Sequence, residues 1–320
     1  MNPRPPAGVV APGAAPDPRP ASLSLDDTRP FGTHLRMAWW KSLIVIAALP
    51  VTLLLLQLGL YLLAGLAEGG DPLESTLTPL KLLAANLSTG LTALLAVVLV
   101  SRFAKVPWRT VFSSPRRFDL RRLAVFFAGS VVLVGAGTAV VAAVAPDAAG
   151  WVGFGVSGTT VALLAVVVLS TPVQSAGEEI MFRGAVLPAA ASWFRAVRPA
   201  FIAGLVVSSL LFAVVHGASD PWLLGYYVFL SACTALMGWI TRGLEAAIAF
   251  HVANNVVTTT VNVLLAGGGS LVVERGEGAG GGPALIVLAA VNVCVLTFVG
   301  LRERAARREM SPPERAGRGR

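Results

Sequence analysis

Long apolar runs separated by short polar loops fill the chain from about residue 42 onward. Eight such runs cover roughly 42–66, 80–101, 123–145, 157–188, 200–217, 222–241, 244–265 and 283–301. They approach or exceed the roughly 20 residues that cross a bilayer as a helix. The pattern predicts an all-α fold, a polytopic membrane helix bundle with about eight transmembrane helices. The fourth run is longer than a simple span needs, which predicts a tilt, a bend or an extension beyond the bilayer. Pro50, Pro172 and Pro188 fall inside the runs and are candidate bends. Neighbouring helices can satisfy the backbone groups that a proline frees. Small residues recur along the runs, as in AGSVVLVGAGTA at 128–139, and fit close helix packing.

Composition agrees. Of 320 residues, 55% are hydrophobic and only 13% charged, too few to cover a soluble domain of this length. The first 35 residues are rich in Pro, Ala and Asp, and their composition predicts a disordered tail. They contain no apolar core of signal-peptide length. The membrane domain is expected over 36–301, followed by a basic tail over 302–320. Cys233 and Cys294 both lie in apolar runs and read as small buried side chains.

The net charge of +8 is concentrated in a few loops and does not call for a nucleic-acid partner. The 102–122 loop holds Arg102, Lys105, Arg109, Arg116, Arg117, Arg121 and Arg122 against Asp119. Arg195 and Arg198, then Arg242, then Arg302, Arg304, Arg307 and Arg308 fall at the same alternating ends. The other ends carry Glu68, Asp71, Glu74, Asp147 and Asp220. The positive-inside rule then places both termini in the cytoplasm, as an even number of spans requires. The Arg-rich 102–122 loop can also attract anionic lipid.

Ionisable groups within spans cost at least a few kcal/mol each and are functional candidates. Three sets occur. In SAGEEIMFRG, Glu179 and Arg183 are i and i+4 and can pair. Glu178 is rotated about 100° from Glu179, leaving it free for another neighbour. In FAVVH, Phe212 shares a helical face with His216 and can pack on the imidazole. In HVANN, His251 and Asn255 project together, while Asn254 is rotated off that face. Such a pair can hold a metal or a developing oxyanion. Each set alone also reads as structural polar packing.

Taken in order, Glu178-Glu179-x-x-x-Arg183, Phe212-x-x-x-His216 and His251-x-x-x-Asn255 resemble the CAAX prenyl endoprotease type II and bacteriocin-processing (CPBP, or ABI) family of intramembrane proteases. The resemblance covers about 155–265. It implies an endopeptidase acting on a membrane protein or peptide. Glu178 and His216 would activate water, His251 and Asn255 would stabilise the oxyanion, and Glu179, Arg183 and Phe212 would shape the site. Glu178, His216 and His251 also match a catalytic zinc set with one open position. They suffice equally for a metal-free glutamate mechanism, and the His-Glu-x-x-His zinc helix is absent from the sequence.

Other readings are a non-catalytic membrane scaffold or bacteriocin-immunity protein of the same fold, and a transporter with a polar relay. The Ala-, Gly- and Arg-rich composition suggests a bacterial plasma-membrane protein. One geometric condition applies to the protease reading. His216 falls near the outer end of its run, whereas His251 lies about 10 Å into its own from the cytoplasmic end. A common site requires helices that end or bend inside the protein. Gly217 and Pro221 are suited to a turn there.

Overall fold

A computed structural model describes residues 25–72, 74–145, 150–279 and 282–310. The expected tail residues 1–24 and 311–320, and Asp147 in its loop, lie outside the described residues. The helices are α1 (Trp39–Glu68), α2 (Pro79–Phe103), α3 (Leu120–Val144), α4 (Gly158–Glu179), α5 (Leu187–Ala191), α6 (Val197–Val215), α7 (Pro221–Thr241), α8 (Glu245–Leu264) and α9 (Pro283–Met310). A π-helical segment, Ile180–Val186, joins α4 to α5. The stretch from α4 through α5 therefore counts as one 34-residue span, and among the described residues eight helices are long and apolar enough to cross a membrane. This is an all-α integral membrane bundle. The long fourth run changes to π-helix at Ile180–Val186, and Pro188 is the second residue of α5.

Polarity is arranged for lipid. Exposed span positions include Leu55, Leu63, Leu94, Val132 and Ile286. Polar groups turn inward, and some pair between helices. Asn86 of α2 donates to Ser170 Oγ (2.9 Å) and Thr171 Oγ1 (3.1 Å) of α4. Helix starts follow local chemistry. Thr78, Ser157 and Asp220 each cap an N-terminus by accepting from a backbone N–H three residues on, and Pro79 and Pro221 occupy first-turn positions where no N–H is needed.

Contacts at the two ends of the bundle are distinct. At one end, Arg116 pairs with Glu245 at the start of α8, and Arg122 pairs with Glu303 of α9. Arg307 donates to Ile240 O (3.1 Å) at the end of α7. At the other end, strands β1 (Thr76–Leu77) and β2 (Leu271–Val272) pair antiparallel. Gly153 bridges Ala266 there as well. The loops of high positive charge all gather at the first end.

The segment expected to be loose up to residue 35 is folded from residue 25. Leu25 bridges Leu35, and Phe31, His34 and Leu35 are buried. His34 Nε2 lies 3.0 Å from Thr110 O, while Arg29 and Arg36 donate to Arg195 O. Three apolar side chains and these bonds offset the ordering entropy of this segment. The basic tail likewise continues as helix, α9 running on to Met310. Cys233 is buried as expected, but Cys294 is exposed on α9, whose apolar outer face needs no cover in lipid.

Candidate active site

Two helix registers build the site. Ser208 of α6 donates to Phe182 O (3.0 Å), and Gly204 packs on Leu187. A Cβ on Gly204 would sit 2.6 Å from Leu187 O, so only glycine permits this approach. The antiparallel register carries Glu178 toward the Phe212–His216 turn. On its other side α4 runs against α8, where Glu179 meets His251 and Ser175 meets Asn255.

Glu179 is fully buried and grips two partners. One oxygen lies 3.2 Å from Arg183 Nε, the pairing expected from the i,i+4 spacing. The other accepts from His251 Nδ1 at 2.7 Å. Across the ring, His251 Nε2 is 3.3 Å from Glu178 Oε2. His251 therefore bridges both carboxylates. When it carries both protons, the two glutamates, Arg183 and His251 sum to zero formal charge, which lowers the cost of burying all four. The Arg183 guanidinium also lies 4.6 Å over the Phe212 ring. Its Nη1 and Nη2 have no hydrogen-bond partner among the described residues.

His216 caps the end of α6, and Gly217 takes the left-handed conformation (φ +64°) that turns the chain. Its Nδ1 is 2.6 Å from Phe212 O. A carbonyl can only accept, so Nδ1 carries the proton and Nε2 of the neutral ring is an acceptor. Phe212 packs on the imidazole at 4.5 Å between centroids, and Tyr227 stacks on it at 4.2 Å. Glu178, His216, His251 and Asn255 all line one cavity of about 380 Å³. The condition of convergence is met, and the imidazole beside Glu178 is that of His251, 3.3 Å away.

Asn255 Nδ2 donates to Gln174 Oε1 (3.3 Å) and Ser175 Oγ (3.1 Å). Gln174 in turn donates to Glu178 Oε1 at 2.6 Å. Both amide protons are committed to a chain that orients Glu178. Gln174, Asn254, Tyr227 and Arg275 line the cavity too and were not singled out from sequence. A polar side chain inside an apolar run was the available signal for Gln174 and Asn254.

Both nitrogens of His251 face carboxylates, and no group of three His, Cys, Asp or Glu among the described residues is placed to hold a metal ion.

Residues 157–257 match the family described as Type II CAAX prenyl endopeptidase Rce1-like. The match runs from the cap of α4 into α8 and spans all three motifs, in agreement with the resemblance read from them. No curated protein and no solved structure matches the chain.

Proposed function

We propose that this protein is an intramembrane endopeptidase that hydrolyses a peptide bond of a membrane-associated protein or peptide. The observation that carries the reading is the Glu179–His251–Glu178 bridge on a cavity shared with His216. A water in the cavity donates one hydrogen bond to His216 Nε2 and the other to Glu178. Glu178 takes the proton as water attacks the scissile carbonyl carbon, and returns it to the leaving amine. His251, held by Glu179, presents Nε2–H to the developing oxyanion. Asn255 acts through Gln174 as a positioning residue. Arg183 and Phe212 fix Glu179 and His216. No step requires a metal.

The basic end of the bundle lies at the cytoplasm in this reading, with both termini on that side of a plasma membrane. The cavity is then lined at its far end by Leu77, Val273 and Arg275, from loops on the opposite side.

The test compares protein N- and C-termini across membranes of cells expressing wild type, Glu178→Gln or His251→Ala at matched levels. Peptide ends unique to wild type are expected, with Glu178→Gln lowering their formation by about 10²–10⁴-fold. Equal ends in all three, with each variant folded and natural substrates expressed, would instead support a scaffold or immunity role.

A further inference from the structure

Arg275 lies outside all three motifs and outside the matched stretch 157–257. It nevertheless lines the same cavity. Its backbone is tied down on two sides. Two residues earlier, Val273 N donates to Ser75 O (3.3 Å), continuing the β1–β2 pairing. The Arg275 carbonyl accepts from Ser219 N (2.9 Å), Asp220 N (3.4 Å) and Ser219 Oγ (3.3 Å). Ser219 follows His216 by three residues. The loop is thus fastened to the turn that presents His216, and the Arg275 charge falls within electrostatic reach of His216 and Tyr227.

The side chain is not used up by this anchoring. Arg275 Nε is buried and has no hydrogen-bond partner among the described residues. No ion pair among the described residues engages its guanidinium. Glu178, the carboxylate on the cavity wall, is turned to Gln174 and His251. A guanidinium at a cavity wall whose buried Nε has no acceptor is open to an anion, and its planar fork matches a carboxylate.

We infer that Arg275 binds a carboxylate of the substrate chain, either its C-terminal carboxyl group or an acidic side chain, and so sets which peptides occupy the cavity. This rests on reading the cavity as the substrate site of a peptidase. Arg275 then selects and orients the substrate, while the reacting atoms are handled by Glu178, His216 and His251.

The probe is a mixture of ten-residue peptides with randomised interiors, prepared in three forms. One has a free C-terminus and no acidic residue, one is C-terminally amidated with no acidic residue, and one is amidated with a single glutamate. Binding is read by mass spectrometry of peptides retained on purified Glu178→Gln protein, on Glu178→Gln/Arg275→Gln and on Glu178→Gln/Arg275→Lys. Cleavage is read separately with wild type. One or both carboxylate-bearing forms should be enriched about tenfold or more over the neutral amide, the factor for one charge-assisted hydrogen bond. Arg275→Gln should abolish the enrichment and Arg275→Lys should retain part of it. The loop anchor is the Arg275 carbonyl, so it survives both substitutions. Enrichment of the free C-terminus alone, or of the glutamate form alone, identifies the source of the carboxylate. Equal retention of all three forms, or enrichment that survives Arg275→Gln, would overturn the inference whatever the cleavage result. Enrichment without any cleavage by wild type would instead count against the peptidase reading.

Discussion

Removing the charge of Glu179 should be among the most damaging single changes in the protein. Arg183 is 1% exposed and Glu179 fully buried, with the ion pair at 3.2 Å. The Nη groups of Arg183 have no other hydrogen-bond partner among the described residues, so Glu179→Gln leaves a buried cation uncompensated. Breaking a buried pair in this way costs about 3–5 kcal/mol. Arg183→Met should cost toward the lower end of that range, because Glu179 keeps His251 at 2.7 Å. The double variant restores charge balance between the two positions. A glutamine at 179 still offers His251 an acceptor, which leaves a residual cost of about 1–3 kcal/mol. Singles that sum to roughly 6–8 kcal/mol would thus collapse to a much smaller value in combination. Unfolding of the three variants and wild type in one detergent, followed by circular dichroism through a denaturant series, gives the cycle. The coupling should be at least about 2 kcal/mol. Additive effects would show that Glu179 and Arg183 do not compensate each other, and would sink the charge-balanced picture of the site.

Gly204→Ala should destabilise by roughly 1–3 kcal/mol, since its Cβ meets Leu187 O at 2.6 Å. Gly225→Ala, with nothing within 4 Å, should be near neutral in the same denaturant series. His34 is fully buried, and desolvation holds its pKa near 4 against an ordinary 6.5, opposed by its bond to Thr110 and by the nearby Asp27. Above pH 6.5 both folded and unfolded states keep it neutral. As pH falls from 6.5 to about 4 the unfolded chain takes up a proton that the folded one refuses, so up to about 3 kcal/mol of stability is lost. His34→Gln should flatten that part of the stability profile, and an unchanged profile would refute the assignment. Single cysteines placed at Arg117 and at Glu277 should react with an impermeant maleimide from opposite sides of the membrane; labelling from one side would contradict the proposed topology.

The spans were legible because a bilayer imposes length and apolarity on each helix in isolation. The Glu179–Arg183 pair and the Phe212–His216 contact were legible because i,i+4 neighbours on a helix are set locally. The docking of residues 25–35 was not, since it depends on Thr110 and Arg195, far along the chain. Arg275 sits in a loop whose composition gives no hint that it reaches the cavity. Asn255 was legible from its i,i+4 spacing to His251, but its bonds to Gln174 and Ser175 were not, because those residues lie on another helix.

The partner of Glu178 illustrates why spacing alone falls short. Sequence places His216 at the end of its helix and His251 near the start of another, and neither fact states the relative height of the two helices. Height is set by contacts without titratable groups. Gly204 lets α6 approach Leu187 closely, Ser208 fastens to Phe182, and α8 begins where Arg116 and the Asp119 N–H hold Glu245. These contacts set α6 and α8 against α4 so that Phe212, already 4.5 Å from His216 on its own helix, lies 6.0 Å from His251. One aromatic ring thereby packs against both imidazoles. A shift of a single helical turn, about 5.4 Å, in either register would separate His251 from the glutamates or His216 from the cavity. The packing residues Gly204 and Ser208 therefore determine the chemistry as firmly as the ionisable ones, while carrying no chemical signature of their own.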